Sequence, residues 1–201
     1  MPKKSKEEAA KTRRQIMVSA LDVFHEKGYS SSSLEEIVTR IGMTRGAAYV
    51  HFKNKQDLLL QLVRELEGEM EAPITKKAMK VKSLEDLKGF WMDYLDFILG
   101  DDSYKKYLGV LTLKIEWKDD LLEIVQLFKR QSDELKDFCF SIFKKAKKKK
   151  EIRSDLDCRQ LADVCVAMVD GLVFDALEND DAQLPARCEL AVDLLFRSMK
   201  G

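Results

Sequence analysis

The sequence predicts an all-α fold, on three observations. Apolar residues recur at i, i+3, i+4 and i+7 in successive segments. Serines, asparagines and glycines stand where such segments should begin and end. No stretch alternates apolar and polar residues as a half-buried strand would.

The first segment, residues 11–27, carries Ile16, Ala20, Val23 and Phe24 on one stripe, and Gly28 supplies the left-handed residue that ends it. His25 sits near the end of this helix, where imidazolium suits the dipole, and needs no chemical role. The second places Leu34, Ile37, Val38 and Ile41 on one face. Ser33 precedes it and Glu36 follows three residues later, the pattern of a reciprocal capping box. Gly42 then ends helix two, and Thr44 is placed to cap a third, residues 44–52. Helix, glycine turn, helix is the order of a helix-turn-helix. The third helix has Gly46, Ala47 and Ala48 at its middle, flanked by Arg45, Tyr49 and His51. Small residues permit close approach to another surface, either a DNA groove or a neighbouring helix.

Asn54 and Asp57 cap a fourth helix bearing Leu59, Leu62, Val63 and Leu66, expected to stop or kink near Ala72 because Pro73 follows. Ser83 and Asp86 repeat the capping box before Leu84, Leu87, Trp91, Tyr94, Leu95 and Ile98, a stripe closed by Gly100. A sixth helix carries Tyr104, Tyr107, Leu108 and Leu111, and residues 117–120 separate it from a seventh. In that seventh helix, positions 121, 124, 128, 131, 135, 138 and 142 step by three and four, as lengthwise bundle packing requires. The lysine-rich run 144–150 at its end complements the helix dipole, as the lysines at 3, 4 and 6 are read as a solvated terminus. Helix eight begins at residues 155–157. It is apolar on two faces, Leu161, Cys165, Met168 and Leu172 on one and Ala162, Val169, Val173 and Ala176 on the other. A helix so apolar around its girth needs two partners. Helix nine starts at Pro185 and aligns Cys188, Ala191, Leu195 and Met199.

Residues 12–64 closely resemble the tetracycline-repressor (TetR) family of bacterial transcription regulators. The matching positions are Gly28, Ser33, Ile37, Gly42, Thr44, Gly46, Tyr49, His51, Phe52, Lys53, Lys55 and Leu58. Val38, Ile41 and Met43 depart from it, where the family more often has alanine, alanine and valine. The resemblance implies a nine-helix fold with a three-helix DNA-binding head at residues 1–54, a linking helix at 55–74, and an effector-binding and dimerisation body at 75–201. Thr44, Tyr49, His51 and Lys55 would hold phosphates, and Arg45 would read a base with Gly46 and Ala47 allowing the approach. Ser33 would add a phosphate contact, although capping alone accounts for it. Trp91, Tyr94, Tyr107, Trp117 and Phe128 are the candidate lining of an effector pocket, and each suits ordinary core packing equally well. Residues 157–200 resemble the family's four-helix dimer interface, which nominates Leu161, Cys165, Met168, Leu172, Ala191 and Leu195. The expected partners are a palindromic operator bound by a homodimer and a small apolar or aromatic effector, the protein acting as a repressor.

The charge distribution agrees. The 201 residues carry no formal net charge, yet residues 1–64 hold 12 Lys and Arg against 7 Asp and Glu, a balance of +5 opposed by −5 in the remainder. A phosphate-binding head needs that surplus. Cys139, Cys158, Cys165 and Cys188 form no CxxC pair and the only histidines are His25 and His51, so no zinc spacing exists and neither metal nor cofactor is expected. With no signal peptide and no apolar run of about 18 residues, a cytoplasmic protein is expected. No convergent acid, base and nucleophile suggest an enzyme. Two alternatives remain at this level: a thiol-redox regulator using the four cysteines, and a DNA-binding dimer without a small-molecule effector.

Overall fold

A computed structural model describes residues 6–117, 121–179 and 183–200. Nine α-helices and no strand occur among them: α1 Lys6–Lys27, α2 Leu34–Thr39, α3 Arg45–Tyr49, α4 Lys55–Ala78, α5 Leu84–Gly100, α6 Asp102–Leu113, α7 Leu122–Lys148, α8 Cys158–Glu178 and α9 Leu184–Met199. Lys3 and Lys4, and most of the separator at 117–120, lie outside the described residues. The chain forms two compact units, residues 1–69 with 103–124, and residues 70–102 with 125–201.

In the first unit α1 begins at Lys6, five residues before the expected start, with Glu7 and Glu8 in its first turn where carboxylates favour the positive end of the dipole. Its buried face, Ile16, Ala20, Val23 and Phe24, is the predicted stripe. Gly28 ends the helix at φ +81°, its N–H bonded to the Phe24 carbonyl at 2.9 Å. It is also a point of close approach: the Tyr29 N–H donates to the Lys114 carbonyl at 3.0 Å, and a Cβ on Gly28 would meet that same oxygen at 3.3 Å. Gly28→Ala should therefore destabilise this unit by about 1–2 kcal/mol, the cost of a left-handed L-residue, measurable by urea unfolding.

The α6 helix belongs to this unit. Tyr107 is buried and donates to the Glu67 carboxylate of α4 at 2.5 Å, while Lys106 pairs with Asp22 of α1 at 2.7 Å.

Helix α4 was expected to stop or kink near Ala72. It does not stop before Pro73 but continues to Ala78. A helical proline lacks one N–H and crowds the preceding turn. Here Pro73 is exposed, and beyond it Ile74 and Ala78 pack against the core of the second unit, which gives the last turns a reason to stay helical. At its start Asp57 N–H donates to Asn54 Oδ1 and Lys53 N–H donates to Asp57 Oδ2, both at 2.8 Å, as the capping pattern predicts.

The second unit is built on α5 packed against α8 and α9. The Ser83–Asp86 capping box is complete, and Leu84, Leu87, Trp91, Leu95 and Ile98 are buried. From α7 come Cys139, Ile142, Phe143 and Ala146. That helix closes with a Schellman-type turn, Glu151 N–H to Ala146 O at 3.0 Å and Lys150 N–H to Lys147 O at 3.0 Å, with Lys150 left-handed at φ 62°. Within the lysine run, Lys147 donates to the Leu156 carbonyl and Lys149 lies 3.9 Å from Glu151. Helix α8 starts where the acidic residues predicted, its N-cap Asp157 accepting from Arg159 and Gln160.

Candidate nucleic-acid interface

The proposed reading surface rests on a short, strongly anchored α3. Ala48 and Phe52 are fully buried, and so are Ile37 and Val38 of α2. The valine at 38, larger than the family's usual alanine, is thus absorbed inside the unit. The turn from α2 is another Schellman arrangement, Gly42 at φ +68° with Met43 N–H to Val38 O at 2.9 Å and Gly42 N–H to Thr39 O at 3.0 Å. Ser19 of α1 braces α2 by donating to the Ile37 carbonyl at 2.7 Å.

Helix α3 proper is five residues, shorter than the expected 44–52, because the backbone tightens at its end: His51 and Phe52 N–H both reach the Ala48 carbonyl at 2.9 Å. Its outward face carries Arg45, Tyr49 and Val50, and Val50, 77% exposed beside the 48%-exposed Tyr49, was not singled out by sequence patterning. A β-branched apolar side chain left this open is the signal that was available, and its methyls suit contact with a thymine methyl. Gly46 is exposed, and a Cβ there would meet nothing in the chain nearer than Thr44 Oγ1 at 3.9 Å. The protein itself therefore makes no demand for glycine at this position.

The remaining predicted contacts divide. Ser33 caps α2 by accepting from Glu36 N–H at 3.1 Å, but the capping box is only half formed, since the Glu36 carboxylate turns to Lys27 instead. Thr44 occupies the N-cap of α3 without a side-chain cap bond and is exposed. Ala47 and His51 are half-buried, the His51 ring lying 6.1 Å from that of Phe52. Lys55 does not present its ammonium outward as expected of a phosphate ligand. It donates to the carbonyls of Tyr29 at 2.5 Å, Ser32 at 2.7 Å and Ser30 at 3.3 Å, and sits 4.4 Å from the centre of the Tyr29 ring. Its charge stitches the start of α4 to the loop after α1.

Ion pairs also bind the head together. Arg13 of α1 pairs with Glu65 and donates to Gln61 at 3.1 and 3.2 Å, both on α4. Arg40 forms a two-pronged pair with Glu26 at 2.6 and 2.7 Å. That bond holds the Glu26 carboxyl below its usual range and the Arg40 guanidinium above its own.

Residues 16–62 match the model of bacterial regulatory proteins of the tetR family. The transcriptional regulator TtgR of Pseudomonas putida is 30% identical over 178 residues, 86% of this chain and 83% of TtgR. The chain belongs to the TetR family. NalD, described as the secondary repressor of the MexAB-OprM multidrug efflux pump in Pseudomonas aeruginosa, superposes with a TM-score of 0.83 at 25% identity over 97% of this chain and 98% of NalD. A solved complex of SmeT with triclosan has a TM-score of 0.76 at 22% identity over 94% of this chain and 92% of SmeT, a likeness of fold. This TetR-family chain is accordingly a transcriptional regulator.

The expected pocket lining is divided between the two units, and within the second the Trp91 and Tyr94 rings meet edge to face at 5.5 Å. Trp91 lies wholly inside the core of the second unit and Tyr107 is buried against α4 in the first. Trp117, also in the first unit, is exposed at 42%, and Phe128 is half-buried. Only Tyr94 lines a described cleft, with Pro73, Ile74, Lys77, Phe90, Asp93 and Phe97. At about 20 Å³ that cleft is far below the roughly 300–1,000 Å³ of a drug-sized site.

The residues expected at the dimer face divide. Leu161 and Cys165 are buried within their own unit, and Met168, Leu172, Ala191 and Leu195 are half-buried. Val164 and Phe174 of α8 and Leu190 and Leu194 of α9 are the large apolar residues left exposed, the last two at 57% and 58%. The thiols are poorly suited to redox sensing: all four cysteines are buried. The neighbouring Cys165 thiol and then burial push Cys139 far above the usual thiol range, and burial raises Cys188. Among the described residues no His, Cys, Asp and Glu cluster could hold a metal ion, and no helix is long and apolar enough to cross a membrane.

Proposed function

We propose that this TetR-family regulator is a cytoplasmic, non-enzymatic repressor that binds a palindromic operator as a homodimer and is released by a small apolar or aromatic effector. The observation carrying the DNA half is the α3 surface, where Arg45, Tyr49 and Val50 stand exposed on a turn anchored by Ala48 and Phe52. Arg45 reads a base, and Thr44, Tyr49 and His51 contact phosphates, with Ser33 at the start of α2 beside them. Gly46 is suited to this role because a side chain there would obstruct an approaching groove rather than the protein.

The exposed leucines of α9 with Val164 and Phe174 of α8 support a two-fold four-helix contact in which Met168, Leu172, Ala191 and Leu195 become covered. Two heads so joined enter successive major grooves about one helical turn apart. NalD's description as an efflux-pump repressor and SmeT's complex with triclosan favour an apolar effector. The functional division proposed is a DNA-binding part at 1–54, a link through α4 at 55–74 and a regulatory part at 75–201. The compact units differ from it in placing α6 with the head, and the Tyr107–Glu67 and Lys106–Asp22 bonds make α6 a route by which the regulatory part biases α4 and α1.

Arg45→Ala should weaken operator binding by about 1–3 kcal/mol and relax preference at a single base pair, read from affinities for operators varied one pair at a time. Equal loss on every sequence would make Arg45 a phosphate contact instead.

A further inference from the structure

Arg45 is not alone on the reading surface. Its Nη2 donates to the Tyr49 hydroxyl at 3.1 Å, its guanidinium carbon stands 5.4 Å from the centre of the Tyr49 ring, and its Nη1 lies 3.9 Å from Glu35 Oε2. Glu35 is in the first turn of α2, and neither side chain is sheltered, at 67% exposure for Glu35 and 63% for Arg45. An exposed carboxylate on a face meant for phosphates is at first sight a liability, since it repels the backbone that neighbouring groups must grip. A carboxylate in the first turn of α2 suits that helix's dipole, but this accounts neither for the pairing with Arg45 nor for its place on this face, and a solvated pair of this kind contributes little.

We infer that Glu35 is a specificity-determining residue that, with Tyr49, positions the Arg45 guanidinium for base reading and keeps it from settling on phosphates. The inference rests on the DNA-binding reading proposed above. On a matching site Arg45 keeps its place between the Tyr49 ring and the Glu35 carboxylate and presents donors to a base edge. On other DNA its best remaining partner is a phosphate, and reaching one requires leaving Glu35 while bringing that carboxylate near the backbone. The acid therefore penalises unmatched DNA more than the operator. Its position on α2 rather than α3 makes the reading unit span both helices of the motif, so the angle between them tunes selectivity.

The test measures affinity for operator and for random-sequence DNA at one salt concentration with wild type, Glu35→Gln, Arg45→Ala and the double variant. Glu35→Gln keeps the size and the helix while removing the charge. It should tighten random DNA about 2- to 5-fold more than operator, so the specificity ratio falls by that factor. Base preference at the position read by Arg45 should flatten. In the Arg45→Ala background the same substitution should leave the ratio unchanged, because Glu35 acts through Arg45. Equal tightening on both DNAs, or a ratio change that persists without Arg45, would overturn the inference and leave Glu35 a general repulsive charge. Glu35→Asp, whose shorter carboxylate retains the charge, should restore part of the ratio. A wild type that binds no sequence preferentially would overturn the DNA-binding reading itself, and with it this inference.

Discussion

Leu194→Glu should convert the protein from dimer to monomer and weaken operator binding by about 10²–10⁴-fold, the advantage lost when two linked heads no longer bind one site together. Leu194 is exposed on α9 in the single chain, as is Leu190 one turn earlier, and Val164 and Phe174 are exposed on α8. In the proposed dimer these side chains leave water, and a carboxylate among them is desolvated without a partner in each copy, doubled by the two-fold axis. The monomer itself should fold, because Leu194 lies outside the buried α9 set of Leu184, Cys188, Val192, Phe196 and Met199. Sedimentation equilibrium checks the mass and circular dichroism the helix content. A variant that remains dimeric with full operator affinity would exclude this face as the interface.

Lys55→Ala should destabilise the head by about 2–3 kcal/mol, because a charged donor is withdrawn from carbonyls that then lack it. The Tyr29 and Ser32 oxygens, at 2.5 and 2.7 Å from its ammonium, belong to the loop between α1 and α2, so the loss falls on the connection that orients the motif. Chemical unfolding would show a lower midpoint, and proteolysis would cut first near Ser30. The salt slope of operator binding by the protein that remains folded should stay as in wild type. Were Lys55 a phosphate ligand, the slope would fall by about one and the unfolding midpoint would not move.

Much of the head was legible in the sequence, because each of its boundaries is written in local chemistry. Ser33, Gly28, Gly42 and Asn54 mark ends by properties that act within four residues, and all four stand at the ends of helices. What was illegible depends on contacts distant in the chain. Glu36 has the reach for a capping box but meets Lys27, and Lys55 has the charge for a phosphate but meets the 29–32 carbonyls. Pro73 was expected to stop or kink α4 on local grounds, and with Ile74 and Ala78 packed on the second unit's core the helix runs on to Ala78.

For α8 the difficulty is different. Apolar residues occupy both faces, so periodicity identifies two buried surfaces without saying which is turned inward, and Cys165 was set on the outer one when it belongs to the core. Aromatic residues present the same ambiguity, since Trp91 and Tyr107 have the composition of a pocket and the burial of a core.

The most direct test of the central claim is selection of binding sites by the purified protein from fragments of the genome that encodes it, with mass spectrometry confirming that no small molecule is bound. The account predicts enrichment of an inverted repeat whose half-sites are about one helical turn apart, protected by one dimer and bound more weakly by Tyr49→Ala. Failure of the ligand-free dimer to enrich any sequence, or enrichment of sites that Tyr49→Ala binds equally well, would contradict it.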